Sequence, residues 1–166
     1  MAFEIPAHLD PSLVALAWMI GRWEGTGNGT WPGRGDFTYG CQVDFAENGG
    51  PYLHYLCQLF ELDEDGSPVR PMLMETGFWR PQPDASLEVV MAHPDGYAEV
   101  WFGSVSGAKI ELTTDAVART HNATESYTGG HRLYGQVDGD LLFTVDRATE
   151  EHQLQSYLWA RLRRVG

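Results

Sequence analysis

The sequence predicts an all-β chain: an antiparallel up-and-down barrel of about ten strands, preceded by one short helix. One observation is the alternation of Gly21, Gly25, Gly27 and Gly29 on a single parity, with Trp23 on the same parity. Glycine weakens an ordinary strand, so this spacing marks a sharp bend or the close approach of another backbone, and leaves Trp23 to close the barrel end. A second is the aromatic content, six Trp, seven Tyr and seven Phe, which suits strands better than helices. A third is turn chemistry at short intervals: Asp65-Gly66, Asp95-Gly96, Ser106-Gly107 and Asp138-Gly139 each fall between β-rich runs.

Taken in order, Asp10 is a helix N-cap and Pro11 a first helical residue; Leu13 to Ile20 form an apolar turn or two that Gly21 stops. Apolar nearly all round, this helix is expected to be buried at the mouth or base of the barrel. Eleven runs follow, at 22–30, 37–45, 52–62, 71–80, 87–93, 98–105, 109–114, 123–128, 131–137, 141–146 and 154–163. Fusing two of them gives about ten strands, and closing the meander removes its exposed edges. The stretch from Thr114 to Gly130 is polar and is expected to be the loosest part of the chain. Apolar residues occupy both parities of the third run (Leu53, Tyr55, Cys57 and Leu59 beside Leu56, Phe60 and Leu62), which implies an internal cavity.

Residues 1–166 suit a single domain, long enough to bury roughly two thirds of the unfolded surface. Eleven Lys and Arg against 23 Asp and Glu give a net charge of -12, which argues against nucleic acid or an anionic membrane surface as partner. The apolar stretch before Gly21 is too short to span a bilayer. Cys41 and Cys57 make no disulfide framework and no CxxC pair, so free thiols in a reducing compartment, the cytoplasm, are expected.

Residues of catalytic type do not assemble into a local motif. The histidines at 8, 54, 93, 121, 131 and 152 contain no i, i+2 or i, i+4 chelate, so no metal site is expected. His54 reads as a hydrogen-bonded strand residue and His93, before Pro94-Asp95-Gly96, as a turn residue. Glu75, Glu88, Glu99 and Glu111 supply carboxylates, for most of which surface solvation is expected. The spaced glycines lead into no helix and so form no dinucleotide loop.

Four segments together carry a resemblance. They are Gly21-Arg22-Trp23-Glu24-Gly25-Thr26-Gly27 with Trp31-Pro32, Glu75-Thr76-Gly77-Phe78-Trp79-Arg80-Pro81, Leu87 to His93, and Leu154-Gln155-Ser156-Tyr157-Leu158-Trp159-Ala160. In that order, over nearly the whole chain, they resemble the nitrobindin family. The resemblance implies a ten-stranded barrel similar to fatty-acid-binding proteins and lipocalins, with a ferric haem b in its mouth, nitric oxide binding and peroxynitrite isomerisation. It also makes a small homo-oligomer an expectation.

The same resemblance places the family's axial histidine at Tyr157 and a second haem-side histidine at Leu73, between Met72 and Met74. Both histidines are therefore replaced. The expectation is a barrel without haem, no catalytic residues, and a more apolar pocket lined by Tyr157, Leu73 and Met72 or Met74 that takes a small apolar molecule. The alternative is ferric haem held by a Tyr157 phenolate, which needs a nearby cation; Arg161, two same-face residues along, is the one at hand.

Overall fold

Ten antiparallel strands close on themselves, each pairing with its neighbour in sequence and the last with the first. The computed structural model describes residues 3–166. The strands are β1 (Gly21–Trp31), β2 (Gly35–Ala46), β3 (Leu53–Leu62), β4 (Pro68–Pro81), β5 (Ser86–His93), β6 (Tyr97–Ser106), β7 (Lys109–Arg119), β8 (Tyr127–Val137), β9 (Asp140–Thr149) and β10 (Gln155–Arg164). The four expected Gly turns join successive strands, and at the two-residue turn between β8 and β9 Asp138 and Gly139 both take positive φ, 53° and 83°, the conformation of a type I′ hairpin.

One expectation about the elements is corrected and one is refined. The segment from Thr114 to Gly130 is not loose throughout: β7 continues to Arg119 and β8 begins at Tyr127, absorbing the runs 123–128 and 131–137 into one strand. The helix, Pro11–Met19, is a 3₁₀ helix, capped by the Asp10 carboxylate on the Ser12 N–H. It buries Leu13, Leu16, Ala17 and Met19, while Val14 and Ala15 are exposed. Leu13, Leu16 and Met19 recur at the three-residue period of a 3₁₀ turn, so the winding stacks them along one face.

This helix plugs one end of the barrel. Trp23 is fully buried beneath it, its indole N–H donating to the Met19 carbonyl at 2.8 Å, and Arg164 at the end of β10 lies over the ring at 4.1 Å while donating to the Trp18 carbonyl. The interior next to the plug is filled by Phe45, Tyr55, Trp79 and Tyr134, whose ring centres lie 4.9–5.6 Å apart in a contiguous chain. The expected cavity therefore does not run the length of the barrel. It is confined to the opposite mouth, where β1 ends and β10 begins.

The glycines of β1 are explained by what lies over them. A methyl on Gly27 would collide with the Tyr39 ring, and one on Gly29 with the Phe37 ring and, at 2.8 Å, the Tyr157 carbonyl oxygen. Gly25 stands under the backbone of β10, where an added methyl would come within 2.9 Å of the Arg161 carbonyl oxygen. Both close backbone and inward-leaning aromatics thus require the alternation. Cys41 and Cys57 are buried, free thiols on the inner face. No described helix is long and apolar enough to cross a membrane.

Candidate functional site at the barrel mouth

A cavity of about 170 Å³ opens at this mouth, walled by β4, β5, β6, β8, β9 and β10, with Arg34 from the β1–β2 turn and Glu125 from the β7–β8 loop at its rim. Tyr157 lines it because β10 carries a bulge between Ser156 and Leu158, which turns both Tyr157 and Leu158 inward. Met72 and Leu73 both line it for the same kind of reason, the β3–β4 register shifting between Leu59 and Phe60. Met74 does not. It pairs with Gln58 on the outer face and is 42% exposed, so the expected pocket role for Met74 is corrected.

The expected cation near Tyr157 is corrected too. Beyond the bulge Arg161 points outward and pairs with Asp140 at 2.6 Å. The guanidinium beside the phenol belongs to Arg147 of β9, 4.8 Å from the Tyr157 ring, with Trp31 at 5.0 Å and Tyr127 at 5.9 Å completing a cage of rings. Trp31 also packs edge-on against Tyr157 at 5.4 Å and against His152 at 5.5 Å. Burial pushes the Tyr157 phenol above its ordinary value, and Arg147 offsets that only in part.

The more apolar pocket is the largest correction. Below Tyr157 lies a buried polar cluster. Arg132 of β8 reaches across the lumen and holds Glu75 of β4 through two hydrogen bonds of 2.7 Å, a bidentate pair, and Tyr55 donates to the same carboxylate at 3.0 Å. Burial pushes the Glu75 carboxyl up, but the Arg132 guanidinium outweighs it and holds the group down at about 2. His93 is no turn residue. It is buried at the end of β5, its Nε2 2.6 Å from Glu99 and its Nδ1 3.7 Å from Glu75, with Tyr97 stacked on its ring at 4.0 Å.

Glu75 and Glu99 thus depart from the expected surface role, which Glu88 and Glu111 keep by pairing on the outside with Arg80 and His131. His54 behaves as expected, bonded to Thr76 at 2.9 Å on the exterior. Glu75, His93 and Glu99 bring three donor atoms within 4.8 Å of one another from three strands. No short motif could reveal that. A divalent cation there would compete with Arg132 for both Glu75 oxygens, so an ion pair already occupies this donor set.

A haem at this mouth would need an available axial donor and room. Tyr157 offers a phenol raised by burial, a poor ligand unless deprotonated. His93 lines the cavity but is clamped between two carboxylates. A cavity of about 170 Å³ is also smaller than the roughly 300–1,000 Å³ that drug-sized ligands occupy, and a porphyrin belongs at the large end of that scale. The residues present do not fit the group.

Fold and mouth together define a ten-stranded barrel plugged at one end and open to a small pocket at the other. The profile of the THAP4-like, heme-binding beta-barrel domain matches residues 12–164. A ferric nitrobindin-like protein of Cutibacterium acnes is 61% identical over 165 residues, 99% of each chain. A peroxynitrite isomerase of Nocardioides sp. is 46% identical over 162 residues, 98% of each. The crystal structure of Rv2717c from M. tuberculosis superposes with a TM-score of 0.83 at 33% identity, covering 95% of this chain and 99% of that one. The chain belongs to this nitrobindin-like, heme-binding β-barrel family.

Proposed function

We propose that this chain is a member of the family that works without haem and holds a small organic molecule in its mouth pocket, as a binding protein rather than an enzyme. The observation that carries the reading is Tyr157, set where the resemblance puts the axial histidine and lying against a caged guanidinium, Arg147. Met72, Leu73, Val145 and Leu158 supply apolar lining for the ligand body, and Glu75, Arg132 and Arg147 line the same cavity with charge. The ligand is therefore apolar over part of its surface only. Two buried free thiols suit a reducing compartment, and we assign the protein to the cytoplasm.

The second reading is a haem-dependent peroxynitrite isomerase with Tyr157 as ligand, favoured by the 46% identical relative named for that activity. A hemin titration followed by absorbance separates the two. The parent protein is expected to leave the spectrum of free hemin unchanged, and Tyr157→His to gain a stoichiometric Soret shift. Stoichiometric uptake by the parent that disappears in Tyr157→Phe would establish the tyrosinate haem protein instead.

A further inference from the structure

Arg147 is a nearly buried charge in the mouth with a weak partner. Its side chain is 9% exposed, so its guanidinium has lost most of its water and requires a partner. The rings of Trp31, Tyr127 and Tyr157 surround the cation, their centres 4.8–5.9 Å from its central carbon. On the edge formed by Nε and Nη2, Nη2 pairs with Glu125 at 3.0 Å while the buried Nε has no partner among the described residues. That edge is one of the two-donor forks by which arginine holds a carboxylate bidentately, and Glu125 uses half of it.

Glu125 is also a weak occupant. It lies in the loop before β8 with its side chain 47% exposed, and ion pairs to a solvated partner contribute little and are screened by salt. Arg132 differs: its Nε also lacks a partner among the described residues, but both its terminal nitrogens are taken by the buried Glu75. The other groups at the rim are Arg34, which leans over the Phe37 ring, and Asp95. If Glu125 swings out to water, the Nε–Nη2 edge of Arg147 is left without an acceptor, and one carboxylate restores it.

We propose that the pocket takes a small aromatic monocarboxylate, its carboxylate replacing Glu125 on the Nε–Nη2 edge of Arg147 and its ring lying against Met72, Leu73 and Leu158. The size agrees: about 170 Å³ is slightly more than the cavity of about 150 Å³ that accepts benzene in another protein. This inference rests on the small-molecule reading above and names its ligand class.

The test is calorimetric titration of the full chain with benzoate and with its neutral isostere benzamide, at low salt. Benzoate is expected to bind at least about tenfold more tightly, since benzamide cannot satisfy the fork. Glu125→Gln, an exposed loop change, is expected to tighten benzoate severalfold by removing the competitor. Arg147→Lys, which keeps the charge but not the fork, should lose most of the preference, with its thermal midpoint confirming that it folds. Equal binding of the two probes would overturn the carboxylate assignment while leaving a small-molecule pocket. Binding of neither would also overturn it, and hemin uptake by the same sample would then bring down the underlying reading as well.

Discussion

Trp23 shows what a single residue contributes and what a sequence reveals about it. Its parity with the β1 glycines places it inside, and it is buried completely, hydrogen-bonded to the helix plug and covered by Arg164. Trp23→Ala would remove the largest side chain beneath the plug and is expected to cost about 3 to 5 kcal/mol in urea unfolding; a loss below about 1 kcal/mol would mean that the plug is not held from below. Tyr157, Leu73 and Met72 were legible through resemblance alone. Arg132, Arg147, Glu75, Glu99 and His93 were not, because a charged residue on an inward parity looks like any surface charge until its partner on another strand or loop is known. One signal was available. Leu141, Phe143 and Val145 alternate inward with Arg147 next in the series, and a run ended at 146 stops one residue short of it.

At the scale of elements, local chemistry fixed the turns and the pairing order, whereas the register carried the function. Strand parity alone puts Tyr157 and Arg161 on one face; the bulge between Ser156 and Leu158 separates them, leaving Arg161 outside with Asp140. An inserted residue has no sequence signature of its own at this position, and the same holds for the shift that admits both Met72 and Leu73 to the pocket. The 3₁₀ winding was equally hidden, since it depends on which face meets the barrel. The register is locked where β1 lies under aromatic rings. Gly29→Ala would force the Phe37 ring and the Tyr157 carbonyl apart, and overpacking of this kind costs about 1 to 3 kcal/mol. Because the displaced strand carries Tyr157, the variant is also expected to weaken pocket binding, which Gly33→Ala, in the open turn after β1, would not do even though its positive φ of 83° strains the turn. Equal pocket binding by the two variants would show that Gly29 serves stability alone.

Across the whole molecule, the Glu75–Arg132 pair ties β4 to β8 through the lumen, four strands apart in a ten-strand ring. It divides the interior into a packed aromatic half below and a polar mouth above, and this gives the barrel a pH dependence of definite sign. Glu75 is held at about 2 in the folded protein, against about 4.3 in an unfolded chain. A depressed carboxylate contributes stability that is complete above its unfolded value and is lost as pH falls through its folded value. The urea midpoint should therefore hold down to about pH 5 and fall between about pH 4.3 and 2. Protonating surface carboxylates acts the other way, since it relieves the self-repulsion of a chain with a net charge of -12, so the parent's acid curve mixes two effects. Glu75→Gln separates them. At neutral pH it leaves Arg132 buried without its counter-charge and is expected to lose about 3 to 5 kcal/mol, while the difference between parent and variant shrinks steadily through the acid range. A difference that stayed constant from pH 7 to pH 2 would mean that Glu75 contributes through shape and hydrogen bonding rather than charge, and the ion pair would then not be what holds the two walls of the barrel together.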